Sequence, residues 1–234
     1  MRSLVFDTAD KTNVQQLSTG FWNLNFSSIV PCTKAVISNI IVPRSFYNVY
    51  AGNDGVMIGT SLFNLPDGNY GINDLISALQ TLVSSIFPNI PLTITVNNIT
   101  GKLTFSTTST SQLSLQFTTS YKLFGMNRNQ MITVGGSNAP VISPNIYDLN
   151  SVPAVYLRCN AIHSNFIYNN SQTNILFRLP VEVPFGQLIV YQNTSADFYF
   201  DVNNLTNLDF RLTDNYGTEL NLNNVDWKIE MVLI

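Results

Sequence analysis

The alternation of apolar and polar positions is clearest near the end of the chain. Leu208, Phe210 and Leu212 alternate with Asp209, Arg211 and Thr213, Asp214-Asn215-Tyr216-Gly217 makes a turn, and Trp227, Ile229, Met231 and Leu233 alternate with Lys228 and Glu230. A period of two on both sides of a glycine-containing turn predicts antiparallel strands with one buried face. Ile234 lies inside the last apolar run, so the terminus is expected in a sheet. Near the start, Trp22, Leu24 and Phe26 alternate with Asn23 and Asn25, and Lys34 to Val42 forms a nearly continuous apolar stretch ended by Pro43. Residues 44–50 read as another extended segment before the turn Gly52-Asn53-Asp54-Gly55. Residues 1–20 are polar and lack a period, which predicts a flexible N-terminal arm.

The middle of the chain follows a different pattern. Ile72, Leu75, Ile76, Leu79, Leu82, Val83 and Ile86 fall at helical spacing, with Asn73 as the expected N-cap, Asp74 near the positive helix end and Pro88 stopping the run. Three alternating segments follow: Leu92, Ile94 and Val96; then Leu103 and Phe105; then Leu113, Leu115 and Phe117. The turn Asn97-Asn98-Ile99-Thr100-Gly101 joins the first pair. A helix and a three-stranded meander can bury each other's apolar faces, so residues 57–135 are expected to form a small inserted α+β module; the plainer alternative is a decorated loop. Gly135-Gly136-Ser137-Asn138-Ala139-Pro140 breaks the pattern, and strands return over Val155–Ile162, Ile175–Val183, Leu188–Tyr191, Phe198–Val202 and the C-terminal pair. Together with the early strands these make about eight, the number in a double-sheet jelly roll. The expected fold is therefore mainly β. A single eight-stranded jelly-roll sandwich is built discontinuously from residues 21–56 and 136–234, and the module of 57–135 is set into it.

Composition narrows the possible functions. The 234 residues suffice for one all-β domain with an insertion; 45% are hydrophobic but only 11% are charged, so Asn, Thr and Ser supply the polar surface. With 11 Lys and Arg against 14 Asp and Glu, a net charge of −3 leaves no electrostatic footprint for a nucleic-acid backbone. No apolar run approaches the ~20 residues of a membrane span. Met1-Arg2-Ser3-Leu4-Val5-Phe6-Asp7 lacks the apolar core of a secretory signal, so a soluble protein made in the cytosol is expected. Several Asn-x-Ser/Thr triplets, among them Asn98-Ile99-Thr100 and Asn204-Leu205-Thr206, follow from this composition without implying glycosylation.

Candidate chemistry is sparse. Cys32 and Cys159 are far apart and in no metal-ligand spacing, and are expected as buried free thiols. The sole histidine, His163, adjoins Ser164, but no Gly-x-Ser-x-Gly elbow occurs in the chain. Gly135-Gly136 and the Gly52 turn lack the spacing and lysine of a phosphate loop. Asp197, Asp201, Asp209, Asp214 and Asp226 could in principle offer oxygen ligands to a hard cation, but they follow no calcium-loop pattern and read as strand faces and turns. Trp22 and Trp227 could line a sugar-binding surface or, at period two, fill a core. No catalytic, cofactor-binding or metal-ligating residue is assigned.

Specific strings nevertheless resemble a known family. Ile40-Ile41-Val42-Pro43-Arg44-Ser45-Phe46-Tyr47-Asn48-Val49, Leu65-Pro66-Asp67-Gly68-Asn69-Tyr70, Gly101-Lys102-Leu103-Thr104-Phe105 and Tyr121-Lys122-Leu123-Phe124-Gly125-Met126 resemble the penton, or minor capsid, proteins of virophages and Polinton-like viruses. Val155 to Asn160, Val181 to Gly186, and Leu212-Thr213-Asp214 through Gly217 to Asp226-Trp227 continue the resemblance in order. It implies a virion structural protein with a single jelly roll and an inserted domain, a homopentamer at each vertex of an icosahedral capsid. Its neighbours there would be double jelly-roll major capsid proteins, and the insertion could reach a host receptor or a fibre. The resemblance also implies no cofactor and no catalytic residue. A fibre-type receptor- or glycan-binding β-sandwich protein is the alternative that shares the sandwich and the Asn/Thr-rich surface.

Overall fold

The computed structural model describes residues 1–162, 167–168, 171–172, 174–193 and 200–234. The chain forms two compact units, one from Met1–Phe46 with Val152–Ile234 and one from Tyr47–Ser151. The first opens with β1 (Arg2–Asp7), β2 (Val14–Ser18), β3 (Phe21–Val30) and β4 (Lys34–Pro43). The second holds β5 (Gly55–Ile58), β6 (Ser61–Asn64), α1 (Ile72–Ile86), β7 (Leu92–Asn97), β8 (Lys102–Thr107), β9 (Leu113–Phe117), β10 (Gln130–Val134) and β11 (Val141–Ile142). The chain then returns to the first unit. There it forms β12 (Ala154–Cys159), β13 (Ile167–Tyr168), β14 (Ser171–Gln172), β15 (Ile175–Pro180), β16 (Leu188–Gln192), β17 (Phe200–Asp201), β18 (Leu205–Thr213) and β19 (Lys228–Leu233).

Two five-stranded antiparallel sheets build the first unit: β1-β19-β4-β16, with β17 also on β4, and β15-β12-β18-β3-β2. The strand order identifies the architecture. Counting β1, β3, β4, β12, β15, β16, β18 and β19 along the chain, one sheet reads first-eighth-third-sixth and the other second-seventh-fourth-fifth. Those are the interleaved Greek keys of a jelly roll. β2 extends the second sheet beside β3, and β17 adds a short pairing with Ala35 and Lys34.

Aromatic side chains fill the space between the sheets. Phe6 of β1 and Trp227, just before β19, come from one sheet; Trp22 of β3 and Phe210 of β18 come from the other. The Phe6 and Phe210 ring centroids are 4.8 Å apart, and Trp227 lies 5.3 Å from both Phe6 and Trp22. All four are buried, and their edge-to-face and tilted geometries suit the ring quadrupoles.

Three expectations about this unit are corrected. Residues 1–20 are no flexible arm: β1 pairs with β19 from Arg2↔Leu233 to Asp7↔Lys228, and β2 pairs with β3. Only Phe6 of β1 is fully buried, so so short an edge strand shows no readable period. The two C-terminal strands, expected as antiparallel strands on either side of a turn, do not pair with each other: β18 and β19 belong to facing sheets, and the segment between them crosses from one to the other. Alternation shows that each has a buried face, and both faces are buried against the same core. Residues 44–50 form no strand beyond a single bridge from Val49 to Gly68.

The second unit has its own apolar core. Its sheets run β10-β9-β5-β6 and β11-β8-β7, and α1 contributes Leu75, Ile76, Leu79 and Val83 to an interior centred on Phe105, Phe117 and Phe124. Ring centroids there lie 5.6 Å apart for Phe105–Phe117 and 5.1 Å for Phe117–Phe124. β7 and β8 are the expected hairpin, whose turn Asn97 Oδ1 caps by accepting the Ile99 and Thr100 N–H groups at 3.0 and 3.1 Å. The third expected strand of the meander departs: β9 joins the other sheet, between β10 and β5. The helix is capped at Gly71, whose N–H donates to Asp74 Oδ2 at 3.3 Å, so Asn73 lies inside its first turn.

The compact unit is wider than the expected 57–135. Gly135 to Pro140 lies within it, because β11 pairs with β8, and Val49 is tied back to Gly68. Its two chain ends meet: Ser151 Oγ donates to the Asn48 carbonyl at 2.5 Å, and Asn53 Nδ2 donates to both Asn48 O (2.9 Å) and Ser151 Oγ (3.0 Å).

Candidate functional site

The acidic residues that could have formed a metal centre are dispersed among local structural tasks. Asp209 Oδ1 accepts the N–H groups of Asn160 (2.8 Å) and Ala161 (3.2 Å) and the Cys159 thiol (3.3 Å), closing the end of β12. Asp214 is buried and accepts the Tyr216 and Thr218 N–H groups at 2.8 and 2.9 Å, which fixes the turn after β18. Asp226 pairs with Lys11 at 2.7 Å and accepts the Thr8 hydroxyl at 3.1 Å, so the Lys11 hydrogen bond holds its carboxyl below the ordinary carboxylate range against a small opposing effect of burial. Asp201 is exposed opposite Lys34, and Asp197 and His163 lie outside the described residues. Among the described residues no three His, Cys, Asp or Glu could jointly hold a metal ion, and no helix is long and apolar enough to cross a membrane.

Cys32 and Cys159 are both buried and unpaired as a disulfide. Burial, reinforced by the charge of Asp209, pushes the Cys159 thiol up to about 12. A thiol so protonated is a poor nucleophile at neutral pH. Trp22 and Trp227 are 4% and 2% exposed, so they are core residues and offer no surface to a sugar.

A cleft of about 390 Å³ opens on the second unit. Two segments wall it: the loop from Tyr121 to Arg128, between β9 and β10, and the stretch from Asn145 to Asp148 after β11. Gly125 allows the two to meet. It has φ of 63°, and a Cβ there would fall 2.4 Å from the Asn145 carbonyl oxygen. Sequence reasoning missed this site, since its residues come from separate turns without a period. One signal was available: two of the few basic residues in this stretch, Lys122 and Arg128, are six positions apart on one loop.

The first unit, then, is a jelly-roll sandwich, interrupted between β4 and β12 by a second, independently cored unit. No family model matches the chain, and no curated protein matches it. Two solved structures are similar at low identity. The selenomethionine-labelled mavirus penton protein aligns at 10% identity and a TM-score of 0.47 over 99% of both chains. A chain of the Sputnik virophage, solved by cryo-electron microscopy, aligns at 11% identity and a TM-score of 0.44 over 99% of this chain and 97% of that one.

Proposed function

We propose that this chain is a structural capsid protein. Five copies form the vertex of an icosahedral double-stranded DNA virus, seated among double jelly-roll major capsid proteins and assembled in the host cytoplasm. The observation that carries the reading is the jelly-roll strand order broken after its third strand by a separately cored unit. That is the architecture implied by the ordered penton-like strings, from Ile40–Val49 to Asp226-Trp227. The edge strand β16 adds support, because Leu188 and Val190 are 55% and 51% exposed there. Apolar groups grouped on a sheet edge are what contact with a neighbouring subunit would cover. In this role the chain works by shape and burial, without chemical turnover.

Light scattering of the purified protein tests the assembly. A pentamer has a mass of about 130 kDa, five times the 26.1 kDa chain, and negative-stain images should show five-fold rings. A stable trimer of elongated outline would overturn the vertex reading in favour of a fibre-type protein.

A further inference from the structure

The cleft between the Tyr121–Arg128 loop and the Asn145–Asp148 segment carries an inference that does not depend on the oligomer. We infer that it binds an acidic saccharide unit, a pyranose bearing a carboxylate or sulfate, through Lys122 and Arg128 on the anion and the Tyr121 and Tyr147 rings on the sugar. The charge is concentrated here against the composition of the unit. Between Tyr47 and Ser151 the basic residues are Lys102, Lys122 and Arg128, and the acidic ones are Asp54, Asp67, Asp74 and Asp148. Lys122 and Arg128 both line the cleft, with Asp148 the only acidic residue among its lining side chains. Lys102 adjoins Gly101, whose carbonyl accepts the Tyr147 N–H at 3.0 Å. In a chain of net charge −3 this is a local positive field that selects an anion.

The rest of the lining selects what carries the anion. Tyr121 and Tyr147 each pack partly against the unit's core and partly line the cleft, so their rings are held as fixed apolar walls. A hydrated inorganic ion leaves such walls unused, whereas the C–H face of a sugar ring covers them while the phenol oxygens remain available for hydroxyl groups. Asn127 and Asn145 border the same space, joined by a 3.1 Å hydrogen bond from Asn145 Nδ2 to Asn127 Oδ1. Amides of this kind match the mixed donors and acceptors of sugar hydroxyls. The volume suits one ring with its substituents, at the lower end of the roughly 300–1,000 Å³ of small-ligand sites.

The walls are also preorganised. Asp148 N–H donates to the Lys122 carbonyl at 2.9 Å, Asn145 N–H to the Gly125 carbonyl at 2.9 Å, and Asn127 N–H to Gln130 Oε1 at 2.8 Å. Buried Ser143 locks the start of the second wall by accepting the Leu103 N–H at 3.0 Å and donating to the Asn145 carbonyl at 2.8 Å. Little ordering remains to be done when a ligand enters, which favours binding of a small, weakly held group.

Saturation-transfer NMR and calorimetry on the full chain test this, with 3′-sialyllactose, a sulfated heparin disaccharide, lactose, inorganic sulfate and adenosine monophosphate as probes. Binding of sialyllactose alone assigns a carboxylated sugar, binding of the heparin disaccharide alone a sulfated one, and binding of both the shared acidic chemistry. Arg128→Gln and Lys122→Gln, at exposed positions and checked for unchanged melting temperature, should each weaken that binding about tenfold, the loss of one charge-assisted contact. The inference is overturned if neither acidic saccharide binds, if lactose binds as well as they do, or if both variants bind undiminished. Equal affinity for inorganic sulfate, or tighter binding of adenosine monophosphate, overturns the saccharide assignment as well.

Discussion

Trp227 shows how much one side chain contributes to joining the two sheets. Its ring touches Phe6 from its own sheet and Trp22 from the facing one, yet its indole N–H is buried without a hydrogen-bond partner. A buried, unpartnered donor is a cost, so the residue stabilises through ring volume alone. Trp227→Ala should lose about 3–5 kcal/mol, read from the urea midpoint. Trp227→Phe should lose less, because it keeps an aromatic ring and removes the orphan donor. Cys159 gives a second check at this scale. Its thiol, raised from 9.0 to about 12 by burial and then by Asp209, should resist Ellman's reagent at pH 8 until the protein is unfolded by denaturant. The protonated thiol's contribution is fully present below pH 9.0 and is lost as pH climbs towards 12.

Among the elements, β1 decides whether the N-terminal stretch is arm or sheet. It covers the outer edge of β19 along its whole length and supplies Phe6 to the aromatic cluster. Deleting residues 1–8 should therefore lower the melting temperature by many degrees, whereas removal of a true arm would leave it unchanged. Deletion also removes Thr8, whose hydroxyl accepts the backbone N–H of Trp227 at 2.8 Å. The elements that were legible in the sequence are those with several turns, an alternation or an unbroken apolar run: α1, β3, β4, β7, β8, β9, β12, β15, β16, β18 and β19. β1, β6 and β11 were not, because two to six residues with at most one buried position carry no measurable period. Beyond the β7–β8 hairpin, the neighbour of a legible strand was hidden. β9 reads like the third strand of a meander, but period two reports which face is inward and says nothing about which edge accepts its hydrogen bonds.

For the whole molecule, the second unit's separate core and adjoining chain ends lead to a direct experiment. Replacing residues 48–151 with a short Gly/Ser linker should leave a folded β-protein by circular dichroism, with the oligomer mass of the full chain by light scattering. An insoluble product would show that the jelly roll needs the insertion in order to fold. Val190→Asp, on the exposed edge of β16, should reduce the oligomer while leaving the melting temperature within about 1 °C, since a surface substitution away from the core costs little. Periodicity and turn chemistry, which are written into neighbouring residues, were enough to establish a mainly β chain, one long helix, an interruption in the middle and an inward-facing Trp227. Folding alone set β18 and β19 opposite each other across a core, ran the insertion from Tyr47 to Ser151, and brought Tyr121, Lys122, Arg128 and Tyr147 around one cleft. Those facts depend on long-range pairing and on the close approach at Gly125, and contacts between residues distant in the chain leave no local pattern to read.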